Sequence, residues 1–303
     1  MIDRSSPSVC LAAPRSRLAA VAAGLCLAIG LPGVAGSTEG GSGAARSWFE
    51  RSFVAAADRK CRLFDPALGA ALEASALQAR GAAARAGETS EQLAQGLARA
   101  EALAAATACD HPDLAVVRER AVSAYGAWTG LRRMDFPGAR SAWKADRTRR
   151  DADAWRLSQT GGIGGARATM GLLARVDGAD DLAVAVAFPG QARPYAARIT
   201  LRDAERVNLP WLKDGGAALP PHWTTTSVMA ASNAPTELAL TGALKGDGRL
   251  WVFPASAGDA LARLDPRETF VVEFLFRDDS VARVRFEVGD FAAGRAFAAL
   301  GPL

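Results

Sequence analysis

The sequence predicts an α+β protein in which a disulfide-tied antiparallel helical bundle is followed by an antiparallel β-sandwich with short helices. Apolar residues recur at helical spacing up to about residue 131, and from Trp155 onward the period changes to that of short strands. Two cysteines fall at matching ends of predicted helices. The chain has 303 residues, half of them hydrophobic, which is enough for one or two domains with substantial cores.

The first 36 residues have the composition of a secretory signal peptide. Three arginines precede an uncharged run from Leu18 to Gly36, and small residues stand before a predicted cleavage site after Gly36. We therefore expect a periplasmic or secreted protein with no transmembrane span after cleavage, an uncleaved anchor being the alternative. Removing residues 1–36 lowers the formal net charge from +4 to +2, which argues against nucleic acid as a partner.

Residues 45–131 are predicted to form a bundle of four helices. Asp65 and His111 are each followed by proline, the pattern of a polar cap and a first-turn proline, and Thr89 with Gln92 matches a capping box. The predicted helices span about 46–62, 66–86, 89–108 and 112–131.

Cys61 and Cys109 are the cysteines that remain after signal cleavage. Short loops make neighbouring helices antiparallel, so the first and third helices run in the same direction and both cysteines lie at the same end of the bundle. In an oxidising compartment this placement predicts a structural disulfide. A redox or metal site is the alternative, but the chain has no C-x-x-C motif and only His111 lies nearby.

Residues 154–303 are predicted to form the sandwich, because short apolar runs alternate with turn signals roughly every eight to twelve residues. The predicted strands are 154–159, 167–176, 182–188, 196–202, 223–230, 236–244, 249–253, 269–276 and 281–288, and the short helices are 257–264 and 290–300. In the last hairpin the apolar residues of both strands are even-numbered. This parity predicts Phe276 opposite Ala282 and Glu273 opposite Arg285.

The stretch SQTGGIGGARATM, residues 158–170, has the glycine content of a phosphate-binding loop. However, Arg167 occupies the third glycine position of a dinucleotide loop, and the stretch has no Gly-Lys-Ser/Thr of a Walker loop. We interpret these glycines as a hairpin connection between two strands.

Residues 132–153 are predicted to be a basic linker between the domains, with a helix from about Ala139 to Ala152. Exposed aromatic residues beside basic groups suit a cell-wall glycan or an anionic lipid, and docking of the linker on a neighbouring domain is the alternative. The candidate ligand-binding residues are Arg132, Arg133, Trp143, Arg147, Arg149 and Arg150 in the linker and Trp211, His222 and Trp223 in loops of the sandwich.

Residues suited to catalysis or metal binding are sparse. His111 and His222 are the two histidines, and the sequence pairs neither with a nucleophile, so we predict no catalytic residue, cofactor or metal site. A periplasmic hydrolase of an envelope polymer is the alternative, using Glu237 or Asp259 as carboxylates or His222 as base. A third hypothesis is a helical module that dimerises or docks a partner.

Three stretches of the second half, RLWVFP (249–254), AGDALARL (257–264) and FVVEFLFRDDSVARVRFEVGDFAAGRAFAAL (270–300), resemble the invasion-associated locus B family of exported bacterial β-sandwich proteins. The resemblance covers roughly residues 155–303, includes no catalytic motif, and lacks the cysteines common in that family. It implies an envelope-associated, non-enzymatic protein. We therefore expect an exported binding protein whose partner is a cell-wall glycan, an anionic lipid or another envelope protein.

Overall fold

The structure, a computed structural model, describes residues 41–148, 154–163, 166–175, 180–190, 192–216 and 218–303. It confirms the predicted fold class, because helices form the N-terminal region and antiparallel sheets the C-terminal region. None of the helices in these ranges has the length and hydropathy needed to cross a membrane. The predicted signal peptide, residues 1–36, lies outside the described residues.

The N-terminal bundle consists of α1 (Gly41–Cys61), α2 (Pro66–Arg85), α3 (Ser90–Ala106) and α4 (Pro112–Thr129). Helix α1 packs against α2 and α3, and α2 packs against α4. The predicted caps are confirmed. The Asp65 carboxylate and the His111 imidazole each accept a hydrogen bond from a first-turn amide, and Thr89 with Gln92 forms the capping box.

A disulfide joins Cys61 to Cys109, with their Cα atoms 5.4 Å apart, as predicted. It ties the end of α1 to the segment between α3 and α4. The core beside it contains Phe53, Leu72 and Tyr125 among many alanines. Because alanine buries little area, this core gains less stability from each residue than a leucine-rich bundle does.

Two antiparallel sheets form the C-terminal region. In spatial order, the larger contains β1 (Arg133–Pro137), β2 (Ala142–Asp146), β3 (Trp155–Ile163), β4 (Ala166–Ala174), β5 (Asp180–Ala187), β9 (Gly248–Val252) and β8 (Ser232–Pro235). The smaller contains β11 (Val281–Glu287), β10 (Thr269–Leu275), β6 (Ala196–Arg202) and β7 (Thr225–Met229). The short helices are α5 (Leu238–Thr241), α6 (Ala255–Ala262) and α7 (Phe291–Ala298).

The two sheets approach each other at two places. On one side β7 leads directly into β8, and the chain changes sheet at Ala230 and Ala231. On the other side β3 crosses β11, where the side-chain amide of Gln159 donates to the Glu287 carbonyl at 3.2 Å and accepts from the Glu287 N–H at 2.8 Å. Gly161 permits this crossing, because a Cβ atom there would lie 2.9 Å from the Arg285 carbonyl oxygen. β3 and β4 form the predicted hairpin, but Gly161 and Gly162 lie on β3 and not in the connection, and Gly164 and Gly165 lie outside the described residues.

The predicted helix over Ala139–Ala152 is wrong for residues 139–148. The segment predicted as a linker forms the β1–β2 hairpin, which extends the larger sheet and places Phe136 opposite Trp143. Both side chains are fully buried. Burial alternates along β2, and this period of two prevails over the helix propensity of the alanines and arginines. Residues 149–153 lie outside the described residues.

The predicted strand over 236–244 is also wrong. The chain forms β8 and then α5, which covers the outer face of the larger sheet and ends at Gly242 with φ 70°. Apolar residues two apart, Leu238 and Leu240, suggested a strand. Instead, Leu240 packs against the outer-face cluster of the larger sheet, and its carbonyl accepts the Trp155 indole N–H at 3.2 Å.

Helix α7 packs against both the helical bundle and the larger sheet. The Arg85 guanidinium on α2 donates two hydrogen bonds of 2.8 Å to the Asp290 carboxylate at the start of α7. Burial raises the pKa of Asp290, although Arg85 opposes this effect. The Trp128 ring on α4 packs edge-on against Phe297, with centroids 5.1 Å apart. The bundle and the sandwich are therefore packed together through apolar and ionic contacts.

In the last hairpin, even-numbered apolar residues of the two strands lie opposite each other, as predicted, but the predicted register is wrong by two residues. Phe274 lies opposite Ala282, so Glu273 faces Arg283 rather than Arg285. Arg198 on β6 flanks Glu273 from the other side. By itself, burial of the Glu273 carboxylate would raise its pKa. The hydrogen bonds from Arg283 and Arg198, at 2.7 and 2.6 Å, outweigh burial, and the pKa lies below its ordinary value.

A pH dependence follows from this carboxylate. Because the folded pKa of Glu273 is lowered, its stabilising contribution is fully present above the unfolded value of about 4.3 and is lost as pH falls through the folded pKa. We expect Glu273→Gln to be less stable than the wild type at neutral pH, with the difference shrinking in acid. Urea unfolding at several pH values measures this. Glu205→Gln removes a mostly exposed carboxylate and serves as control; a constant difference for Glu273→Gln would contradict the prediction.

Candidate ligand-binding surfaces

Trp143 is a core residue and not a surface one, contrary to the sequence prediction. Its side chain is fully buried between the sheets and α7, with its ring centroid 5.0 Å from that of Phe291. The indole N–H donates to the Val288 carbonyl at 2.8 Å. A ligand on the surface therefore cannot reach this ring.

Arg147 is also buried and has a structural role. Its guanidinium donates to carbonyl groups at the end of α4 and near the C-terminus, including those of Thr129 at 2.8 Å and Gly301 at 2.7 Å. The cation lies 5.1 Å from the Phe297 ring centroid. Burial lowers the pKa of Arg147 from its ordinary value. These contacts fasten the C-terminus to the junction of the two domains.

Fewer of the residues predicted to bind a ligand in segment 132–153 are therefore accessible on the surface. Arg132 and Arg133 are exposed, and Arg133 pairs with Asp146 at 2.9 Å. Arg149 and Arg150 lie outside the described residues. Arg133 is the first residue of β1, and Arg132 directly precedes it. β1 is the edge strand of the larger sheet at the end away from β8, so both arginines are remote from β7 and from the loop before it. The structure does not bring them together with Trp211, His222 or Trp223.

Trp211 is partly buried in the long connection between β6 and β7. Its backbone N–H donates to the Glu268 carboxylate at 2.9 Å. The same carboxylate forms a buried bidentate pair with Arg202, at 2.7 and 2.9 Å. Trp211 therefore anchors this connection to the sheet, and the connection is held against a rigid ion pair.

His222 and Trp223 are presented to solvent on a short 3₁₀ turn that leads into β7. Trp223 is 66% exposed, and the His222 ring lies edge-on to the Trp223 ring, with centroids 5.2 Å apart. The hydroxyl of Thr224 donates to the Pro221 carbonyl at 2.7 Å, and that of Thr225 donates to the His222 carbonyl at 2.8 Å. These bonds fix the turn, so the exposed pair has a defined position. We call it the His222–Trp223 surface.

A second feature was missed at the sequence level. An open groove of about 220 Å³ lies between the β5–β6 connection and the turn before β9, and an adjoining space of about 370 Å³ shares its walls. We call it the Arg249 groove; its defining residues are Phe188, Arg193, Pro194, Asp247 and Arg249. The only sequence signals here were turn glycines, and no local motif links the β5–β6 connection to the turn before β9, which are more than 50 residues apart in the chain.

The residues named for the hydrolase hypothesis do not form one site. His222 has the Trp223 ring as its neighbour and, in the described part of the chain, no acidic partner. Asp259 is exposed and pairs with Arg295 at 2.7 Å, and Glu237 is exposed at the start of α5. Within the described ranges no group of three or more His, Cys, Asp or Glu side chains is arranged to hold a metal ion.

No protein-family model matches this chain, and comparisons with curated proteins and with solved structures give no match.

Proposed function

We propose that this chain is an exported, non-catalytic binding protein of the cell envelope that holds a cell-wall glycan at the His222–Trp223 surface. The observation that carries the proposal is the Trp223 ring, two-thirds exposed on a turn fixed by side-chain hydrogen bonds. Tryptophan is enriched among the few residues that contribute most of the binding energy at interfaces. Its flat face suits the apolar face of a sugar ring.

The nature of the ligand follows from which predicted residues are accessible. An anionic lipid or polyanion requires a group of exposed cations, whereas Trp143 and Arg147 are buried and Arg133 is paired with Asp146. By contrast, the imidazole of His222 can donate to or accept from a hydroxyl beside the exposed ring. A neutral, hydroxyl-rich glycan matches this surface better than a polyanion does.

Two observations support export. The sequence begins with a segment of signal-peptide composition, and the Cys61–Cys109 disulfide suits an oxidising compartment. The resemblance of the C-terminal half to the invasion-associated locus B family points to the same compartment.

We expect the purified protein to be retained by insoluble peptidoglycan at low salt, and Trp223→Ala to weaken this retention at least about tenfold, as is usual for an aromatic anchor of an interface. Co-sedimentation with a peptidoglycan titration measures the affinity. Val122→Ala, which shortens an exposed apolar side chain on α4, is the matched control and is expected to bind like the wild type.

Anionic phospholipid vesicles provide the second arm of this experiment. Absence of retention by peptidoglycan, or equal retention of wild type and Trp223→Ala, would contradict the proposal. Retention by vesicles alone would replace glycan with lipid as the ligand.

A further inference from the structure

The Arg249 groove lies at the opposite end of β6 from the His222–Trp223 surface. Pro194 lies two residues before the first residue of β6, whereas the N–H of Asp203, which follows β6, bonds to the carbonyl of Thr224 beside Trp223. Seven residues of extended strand separate the two places, a distance of roughly 20 Å. The groove is therefore a separate feature, and an inference from it does not rest on the glycan proposal.

Arg249 lies on the inner-facing side of β9, where the core ends. Its neighbours at alternate positions, Trp251 and Phe253, are core residues. Its guanidinium donates one hydrogen bond, to the amide oxygen of Asn233, while its Nε–H is buried without a partner among the described residues. Asn233 is neutral, and within the described ranges no carboxylate forms a hydrogen bond or an ion pair with Arg249. A buried donor without a partner is costly, and the positive charge of this guanidinium, on the wall of the groove, is left for an anion to neutralise.

Two other shielded arginines of this protein differ from Arg249 in this respect. Arg202 forms a bidentate pair with Glu268, and Arg85 does so with Asp290. The fold thus places carboxylates opposite these two cations, whereas Arg249 faces an open groove.

Arg193 supplies a second cation on the same wall. It pairs with Asp247, and both side chains are largely exposed, at 67% and 71%. Exposed pairs of this kind contribute little stability, and a competing anion can displace them. With Arg193, Arg249 and Asp247 as the charged lining, the groove carries an excess of one positive charge.

The remaining walls of the groove consist of apolar side chains, and the backbone turn at Gly246 sets its shape. Phe188 and Pro194 line one side, and Pro235 with Leu238 lines the adjoining space. Gly246 lets the turn before β9 lie close to the β5–β6 connection, since it has φ 113° and a Cβ atom there would lie 3.3 Å from the Pro189 nitrogen. A volume of a few hundred Å³ accommodates a ligand about the size of one sugar.

We propose that the Arg249 groove binds a small organic anion, about the size of one sugar, whose carboxylate or phosphate oxygens are held by Arg249 and Arg193. The planar guanidinium group presents paired donors that match two oxygens of either anion. The carbon skeleton of the ligand would lie against Phe188 and Pro194.

Calorimetric titration of the purified protein with glucuronate, glucose 6-phosphate and glucose tests this proposal. We expect at least one of the two anionic sugars to bind with a Kd on the order of 1 mM or tighter and uncharged glucose to bind far more weakly. Preference for glucuronate or for glucose 6-phosphate assigns the anion as carboxylate or phosphate. Added salt should weaken binding, because the groove is open to solvent.

Variants locate the site. We expect Arg249→Gln to weaken binding at least about tenfold and Arg249→Lys, which keeps the charge and loses the paired donors, to weaken it less. Asp247→Asn removes the competing carboxylate and should strengthen binding, a change of sign that a merely structural residue would not produce. Arg263→Gln, which removes an exposed arginine paired with Glu205 outside the groove, is the matched control.

The proposal fails if neither anionic sugar binds at about 10 mM, a concentration well above the expected Kd. It also fails if Arg249→Gln and the wild type bind equally, or if Asp247→Asn leaves the affinity unchanged. Because Asp247 is exposed, Asp247→Asn keeps the test valid even if Arg249→Gln unfolds. Trp223→Ala should leave anion binding unchanged, which separates this site from the glycan surface.

Discussion

Replacement of Trp143 by alanine is expected to lower the free energy of unfolding by about 3–5 kcal/mol. The ring is fully buried, packs against Phe291, and donates its N–H to the Val288 carbonyl. Alanine removes the buried apolar area, leaves a cavity beside α7, and leaves a buried carbonyl without its donor. Urea unfolding followed by far-UV circular dichroism measures the change.

Trp223→Ala is the matched control for this substitution. It removes the same side chain from a position that is 66% exposed, so we expect a change within about 0.5 kcal/mol. Together with the retention experiment, the two variants separate stability from binding: Trp143→Ala should be destabilised, and Trp223→Ala should lose the ligand. A Trp143→Ala protein as stable as the wild type would mean that the β1–β2 hairpin does not dock on the sandwich.

The helices could be predicted closely from the sequence because their ends are encoded locally. Asp65 and Thr89 are caps whose bonding partners lie within three residues, so the pattern and the contact are read from the same short stretch. Most strands could be predicted for a similar reason, since alternation of apolar residues reports directly on a half-buried strand. The disulfide followed once the helix directions were known.

The β1–β2 hairpin could not be predicted by composition, although one signal was present. Alanine and arginine favour helix, and charged residues suggested solvent exposure. Yet Trp143, Ala145 and Arg147 recur with a period of two, and all three are buried. Arg147 can be buried only because carbonyls at the end of α4 and the C-terminus surround its guanidinium. Those partners are more than 15 positions away in the chain, beyond any local pattern.

Of the two candidate sites, one could be predicted from a short stretch of sequence and the other could not. Trp223 and His222 are neighbours in the sequence, and their exposure could be predicted because they lie in a loop that enters a strand. The Arg249 groove depends on the register of β5, β8 and β9, which brings Asn233 beside Arg249 and the β5–β6 connection beside the turn at Asp247. Strand pairing between distant segments is set by the whole sheet and not by the segments themselves.

The second large effect concerns the disulfide. We expect the double variant Cys61→Ser/Cys109→Ser to lose about 4 kcal/mol of stability in the chain-entropy estimate, because the bond closes a loop of 48 residues in the unfolded chain. This is a large share of the stability of a typical domain. The bundle has little to offset the loss, since its core is rich in alanine and its large side chains are few.

Unfolding of the wild type with and without dithiothreitol provides the control for this prediction. Reductant should destabilise the wild type to the level of the double variant and should leave the double variant unchanged, because it then has no bond to break. Equal stability of the wild type in both conditions would show that Cys61 and Cys109 are not joined in solution.

The effect of losing the disulfide should extend beyond the bundle, because Arg85 on α2 holds Asp290 and Trp128 on α4 packs on Phe297. Loosening these helices removes contacts from α7, and the sandwich should therefore unfold at a lower urea concentration as well.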